Sequence, residues 1–318
     1  MQDVAIVSGI SIIIPNYNGR TLLQQTLPSV IGAAKDATLP FEIIICDDHS
    51  SDDSVIFLKE QYPQIKVLVN EVNKGFSPTI NTGIFHAQYS HVLLLNSDVK
   101  LTPNYFNGLT RYFEKADTFG VMSKIVGWED DKIQDGGKYP SFHGLKIKTS
   151  GNYIPLRKER DQWYYSMYLS GANAFVDRNK LLQLQGFDEL FAPFYVEDFE
   201  LSLRAWRMGW KCYYDDVAVC RHKLSVSIKS AHKKKNIRIV YNRNKMYLHA
   251  IHLNSFKRFQ WFVQLGFESA AYLFMLRLTW LKSLQQFAGN YDRVIQSRKR
   301  LFKAANGKKL LSVKQVVN

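Results

Sequence analysis

Residues 11–15 (SIIIP), 42–46 (EIIIC), 66–69 (KVLV) and 92–95 (VLLL) are short apolar runs, β-branched or leucine-rich and continuous rather than alternating. Strands of a parallel sheet covered on both faces read this way. Helix-like stretches lie between them, at about 20–35, 52–62 and 77–89. The alternation predicts a doubly wound α/β sheet, mostly parallel, with helices on both faces. Regular structure returns at 173–177 (NAFVD), 178–185 and 196–209, then in two short strands near 211–215 and 217–221. The stretch 128–165 holds Gly136-Gly137, several basic residues and the run Trp163-Tyr164-Tyr165. It reads as loops and short strands covering one edge.

After His222 the pattern changes. Residues 223–245 are densely basic, with KSAHKKKN at 229–236, and nothing beyond Asp292 is acidic. Between them, WFVQLGFESAAYLFMLRLTWL at 261–281 carries only Glu268 and Arg277 as charges. Its length would cross a bilayer. Gln264, Glu268, Ser269 and Arg277 interrupt it, however, and basic residues on both sides select no orientation. The expectation is a helical appendage lying in or on a membrane interface, its Lys and Arg drawn to anionic lipids. A buried helical appendage with a basic solvated face is the alternative. The predicted organisation is an α/β domain over 1–225, divided near residue 125, and a basic, apolar helical region over 226–318.

Composition adds a sign to this picture. The 318 residues are 46% hydrophobic and 14% aromatic, enough for a sizeable core, and carry a formal net charge of +14. An anionic partner follows: nucleic acid, a phosphate-bearing substrate or an anionic lipid surface. Nucleic acid fits poorly, because the basic residues crowd the C-terminal third while acids collect at strand ends. Cys46, Cys212 and Cys220 form neither a disulfide framework nor a CxxC pair and read as buried thiols in a reducing compartment. MQDVAIVSGISIIIP lacks the basic start and cleavage-type ending of a leader, so a cytoplasmic protein is expected.

Ligands of open α/β sheets sit beyond the carboxyl ends of the strands. There the sequence places Pro15-Asn16-Tyr17-Asn18-Gly19, then Asp47-Asp48-His49-Ser50-Ser51-Asp52-Asp53, then Asn96-Ser97-Asp98. Ser51, Asp52 or Asp53 suits a helix N-cap. Asp47 and Asp48 are adjacent carboxylates that need partners, which points to binding. Asp98 ends the most apolar strand and serves either a turn or a metal. Carboxylate and amide oxygens suit Mg²⁺ or Mn²⁺, which would hold a diphosphate. No GxxxxGK[ST] occurs and no GxGxxG follows the first strand, so neither a P-loop nor a Rossmann dinucleotide site is expected. Further on, Phe199, Leu203, Trp206 and Trp210 make one apolar helix face, with Glu200 and Arg204 expected as a surface pair on another. Glu197 and Asp198 open that helix, where its dipole favours negative charge. They are ordinary first-turn acids or catalytic ones.

Over about residues 10–225 the chain resembles the family 2 glycosyltransferases of GT-A fold, with a tail like that of bacterial rhamnosyltransferases. The resemblance rests on SIIIPNYNG, IIICDDHSSDDS, NKGFSPTINTGI, LLLNSDV and GFDELFAPFYVEDFELSLRAWRMG, in that order. It implies that Pro15 and Tyr17 line a nucleotide pocket and that Asp48, with Asp47 beside it, meets base and ribose. It implies that Asn73, Gly75 and Asn81 shape the wall near ribose and diphosphate. Asn96-Ser97-Asp98 stands where the family has an Asp-x-Asp metal motif, so Asp98 is its one carboxylate. Glu197-Asp198 matches the family's acidic pair, with Asp198 as general base, and His222 matches a metal-binding histidine, which favours Mn²⁺. The activity implied is an inverting transfer from a UDP-, dTDP- or GDP-sugar to a glycan or polyprenyl-diphosphate-linked acceptor. A nucleotidyltransferase would need an early glycine-rich phosphate loop. A member that has lost activity is the reading that Asn96 invites.

Overall fold

The computed structural model describes residues 8–153, 163–223 and 234–318. The leader reading of residues 1–7, part of the 128–165 stretch and most of the 229–236 basic run lie outside these. The four apolar runs form β1 (Ile10–Asn16), β2 (Phe41–Asp47), β3 (Lys66–Val69) and β4 (His91–Leu95). Helices α1 (Arg20–Asp36), α2 (Ser54–Gln61) and α3 (Phe76–His86) connect them. Beyond lie β5 (Val99–Leu101), β6 (Thr118–Gly127), β7 (Ile133–Asp135), β8 (Gly137–His143), β9 (Lys146–Tyr153), β10 (Tyr164–Tyr165), β11 (Asn173–Asp177) and β12 (Lys211–His222). The remaining helices are α4 (Arg178–Gln183), α5 (Glu197–Arg207), α6 (Lys234–His252), α7 (Ser255–Phe274), α8 (Leu278–Gly289), α9 (Tyr291–Ala304) and α10 (Val313–Val317).

The main sheet runs β10-β12-β6-β11-β4-β1-β2-β3, with β5 added to β12 and β7 to β6. β11 is antiparallel to both β4 and β6, and β12 is parallel to β6. Along this path β3, β2, β1, β4, β6 and β12 therefore point the same way, so their carboxyl ends share one rim. Alternate residues of each strand feed opposite faces. Ile12, Ile14 and Ile45 pack against α1, while Ile13, Ile44 and Cys46 pack against Ile80 and Ile84 of α3. All three cysteines are buried free thiols.

Three local features differ from the sequence expectation. First, the two short strands near 211–221 are one strand, β12, with a register shift between Asp215 and Val219. Asp215 Oδ1 accepts from Val217 and Ala218 N–H, which satisfies the bulged backbone and lets the ladder resume. Second, β8 and β9 form a separate two-stranded sheet, and Ile147 of β9 packs with the C-terminal helices rather than at the sheet edge. Third, Glu200 and Arg204 are not a surface pair. Glu200 is 1% exposed, and its Oε2 accepts from Arg204 Nε at 2.9 Å. The carbonyls of Leu184 and Gly186 take the other Arg204 donors, and His252 of α6 donates to Glu200 Oε1. Packing of α6 covers a helix face that looks solvated when α5 is read alone. Burial raises the Glu200 pKa, but Arg204 and His252 outweigh it, so the carboxyl ends below its ordinary value.

The apolar segment at 261–281 breaks in two at Met275–Arg277, where Leu276 has φ +51°. Among the described residues no helix is long and apolar enough to cross a membrane. Trp261 and Leu265 are buried in a third core cluster with Phe199, Leu203 and Tyr247. The opposite face of α7 is bare: Phe256, Phe259, Val263, Phe267 and Phe274 are exposed, the last at 90%.

Candidate active site

The rim of aligned strand ends collects most of the residues singled out by the sequence. Asp98 follows β4 and is nearly buried, and β5 then pairs Val99 with His222 at the end of β12. His222 Nε2 lies 3.5 Å from Asp98 Oδ1, a buried oxygen without a hydrogen bond among the described residues. His222 Nδ1 donates to Gln134 Oε1 at 2.8 Å, and Gln134 Nε2 donates back to the His222 carbonyl at 3.2 Å. The tautomer is thus fixed by β7, and in the neutral ring the Nε2 lone pair points at the carboxylate. A cation fits between two such lone pairs. Among the described residues no third His, Cys, Asp or Glu joins them in a metal-holding group.

Glu197 and Asp198 reach the same rim from α5. The chain enters α5 through two residues in the left-handed region, Tyr195 at φ +72° and Val196 at φ +75°. A β-branched residue there is strained and needs outside support. Asn244 of α6 supplies it: buried, its Nδ2 donates to the carbonyls of Phe191, Phe194 and Tyr195 at 2.7–3.1 Å. Arg243 adds a bond to the Ala192 carbonyl. Glu197 Oε2 is buried without a hydrogen-bond partner among the described residues. Burial raises the pKa of both carboxyls. The charge of Asp198 adds to the rise at Glu197. At Asp198 the like charge of Asp135 on β7 adds to the effect of burial.

β7 therefore touches both halves of the site. Gln134 holds His222, and Asp135, paired with Lys138, faces Asp198. A second link runs from Asn96, whose N–H donates to the Ala172 carbonyl at 3.2 Å, to Gly171, where an added Cβ would lie 3.9 Å from Asp198 Cβ. Asp98 and Asp198 are thus linked through His222 and β7 on one side and through the backbone at Asn96 and Ala172 on the other.

The remaining residues divide into wall and scaffold. Pro15 is half-buried and Tyr17 is exposed where β1 ends. Ser97 sits across from Gly19. Asp48 accepts from Asn70 Nδ2 and from the N–H groups of Lys74 and Gly75, at 2.8–2.9 Å, so it shapes the loop carrying exposed Asn73. Gly75 has φ +83°, and a Cβ there would meet Pro193 Cα at 2.9 Å, so only glycine fits. Asp47 and Asn81 do not open onto the cleft. Asp47 is fully buried and saturated by Asn16 Nδ2, Ser50 N–H and Ser50 Oγ. Asn81 is locked to the Phe187 backbone by Nδ2 and Oδ1. Asp52, not a Ser51 or Asp53 side chain, serves the helix starts: it accepts from Arg20 N–H and Ser54 N–H.

A family profile described as glycosyl transferase family 2 matches residues 11–182, more than half of the chain. The chain belongs to the family 2 glycosyltransferases. It is 30% identical over 150 residues to the uncharacterized glycosyltransferase YwdF of Bacillus subtilis (strain 168), covering 46% of this chain and 53% of YwdF. It is 23% identical over 214 residues to the N-acetylglucosaminyl-diphospho-decaprenol L-rhamnosyltransferase of Mycobacterium tuberculosis (strain ATCC 25618 / H37Rv), covering 58% and 67%. The fold is similar to that of GalNAc-T7, solved with UDP, GalNAc and Mn²⁺, at a TM-score of 0.63 with 19% identity over 80% of this chain and 50% of that one. This family 2 chain thus spans about half the length of some proteins it matches, and its mixed sheet with helices around it is of the GT-A type.

Gln134, Asp135, Lys138 and Asn244 are absent from the sequence-derived site. A polar pair just before Gly136-Gly137 was the available signal for the first two. Asn244 sits in a basic helix with nothing to mark it.

Proposed function

We propose that the protein is an inverting glycosyltransferase that moves a sugar from a nucleotide diphosphate sugar to a hydroxyl of a glycan or lipid-linked acceptor. The observation that carries this is the Asp98–His222 pair joined through β7 to Asp198. Asp98 and His222 would hold a divalent cation, Mn²⁺ or Mg²⁺, whose remaining positions suit diphosphate oxygens and water. When bound, that ion supplies positive charge where the leaving diphosphate gains negative charge. Tyr17, Pro15 and the Asn73–Gly75 loop flank the space left for the nucleoside.

The acceptor oxygen attacks the anomeric carbon, the bond from that carbon to the diphosphate oxygen breaks, and the hydroxyl proton passes to Asp198. Two carboxyls whose pKa values are pushed apart mark the acid and base of such a site. Burial raises both carboxyls and the charge of Asp198 raises Glu197 further, which makes Asp198 the more readily ionised of the two. The relatives' names support a lipid-linked acceptor in cell-surface glycan synthesis.

We assign residues 1–225 to catalysis and 226–318 to seating the enzyme peripherally on an anionic leaflet. The bare phenylalanine face of α7 and the basic residues near its ends, Lys257 and Arg258 in its first turn and Arg277 and Lys282 after it, support that placement. A screen of UDP-, dTDP- and GDP-sugars for metal-dependent thermal stabilisation tests the assignment, because a ligand of the folded state raises its Tm. One donor class is expected to raise Tm with Mn²⁺ and not with a chelator. No donor doing so overturns the reading.

A further inference from the structure

A cavity of about 350 Å³ lies between β9, α6, α7 and α8. Lys146, Lys148 and Lys245 line it, with Trp261, Leu265 and Trp280 supplying an apolar side. Lys146 is matched by both Glu268 oxygens at 2.6 Å. Lys245 has no ion pair or hydrogen bond to its ammonium among the described residues; it lies instead 5.0 Å from the centre of the Phe199 ring. Burial and the charge of Lys148 lower its pKa to about 8, with Asp198 opposing them only in part. A half-buried cation beside a second cation is costly until an anion joins them.

The cavity is preformed. Ile147 N–H donates to His249 Nε2, and His249 Nδ1 donates to the Lys245 carbonyl, so β9 is pinned to α6. Its place in the fold is informative. Phe199, under Lys245, directly follows Asp198. α7 turns Trp261 and Leu265 into the cavity and Phe256, Phe259 and Phe267 outward. One helix thus carries both an apolar wall beside a cationic pair and the exposed apolar ridge.

We propose that this cavity is an acceptor subsite for a phosphate or diphosphate group carried on an apolar chain. The phosphoryl oxygens meet Lys148 and Lys245, and the chain lies along Trp261 and Trp280. Lysine suits phosphate as a mobile point charge. The assignment rests on the transferase reading, since the hydroxyl delivered to Asp198 then belongs to the sugar attached to that phosphate.

The full chain is titrated, by tryptophan fluorescence and calorimetry, with decyl phosphate below its micelle concentration, with inorganic phosphate and with decanol. Decyl phosphate is expected to bind at least about tenfold more tightly than either of the others, since each holds half of the recognised chemistry. Lys148→Ala and Lys245→Gln should each weaken it by about tenfold, the size of one lost charge-assisted contact. Lys148 is exposed, so its variant keeps the fold, which the Tm verifies. Unchanged affinity in both variants overturns the subsite. Equal affinity for inorganic and decyl phosphate overturns the amphiphile and leaves a plain anion site. Nucleotide sugars with Mn²⁺ are titrated in parallel. Loss of donor binding alone would sink the transferase reading, and loss of lysine-dependent decyl phosphate binding alone would sink only this inference.

Discussion

Asp98 Oδ1 faces His222 Nε2 across 3.5 Å, and among the described residues this buried oxygen accepts no hydrogen bond. Both atoms are poised as donors of electron pairs. Asp98→Ala should abolish Mn²⁺-dependent donor binding in calorimetry. Gln134→Leu, which frees the imidazole, should weaken metal affinity by about 10–100-fold, the usual effect of losing an outer hydrogen-bond partner. Metal-dependent donor affinity left intact by Asp98→Ala would remove the pair from the site.

Asp198→Asn should leave donor binding in place and lower turnover by about 10²–10⁴-fold, the range for general-base help. The base must be ionised, and burial with the charge of Asp135 raises its pKa to about 6. Turnover should therefore fall as pH drops through about 6. Asp135→Asn removes the like charge, so the acidic limb of the pH–rate profile should move to lower pH. An unmoved limb would dissociate Asp135 from the base.

Glu197 makes a stability prediction of definite sign. Its folded pKa is raised from the ordinary 4.5 to about 8, first by burial and then by Asp198. Between those values the folded state binds more protons than the unfolded state, so stability falls as pH rises. Glu197→Gln mimics the protonated form and cannot ionise. The variant should gain on the wild type in urea midpoint from about pH 5 to pH 8. A constant difference across that window would contradict the assigned burial.

The ridge on α7 makes a prediction about lipid. Phe267→Asp and Phe274→Asp should each weaken sedimentation with phosphatidylglycerol-containing vesicles by about tenfold or more, because burying one phenylalanine contributes about 1.5–3 kcal/mol. High salt should weaken the remainder, which comes from lysine and arginine. Sedimentation unaffected by either change would refute the seating. Dissociation of a dimer by these same changes would assign the ridge to a second copy instead.

The strands and the rim were legible because each apolar run is continuous and stops at polar residues, as Leu95 does before Asn96-Ser97-Asp98. His222 was marked only by the family resemblance, since a lone histidine after a strand usually serves the structure. Gln134, Asp135 and Lys245 were not, since their meaning depends on which distant residue they meet. The pairing of Glu200 with Arg204 was visible in the four-residue spacing, but its burial was not. That is decided by His252 on α6, about fifty positions later. Asp47 and Asn81 looked like binding residues because polar groups at strand ends and helix faces serve loops as readily as ligands. Only the hydrogen-bond partners separate the two uses.

β7 is three residues long, and two neighbours on it answer to different masters: Gln134 to the histidine, Asp135 to the aspartate. Side chains on a strand alternate in direction, so deleting or inserting one residue there exchanges the two. The carboxylate would then confront the imidazole and the amide would confront Asp198. Length variation among homologues should consequently be confined to the turns on either side, and this short ribbon should be the least editable part of the chain outside the core.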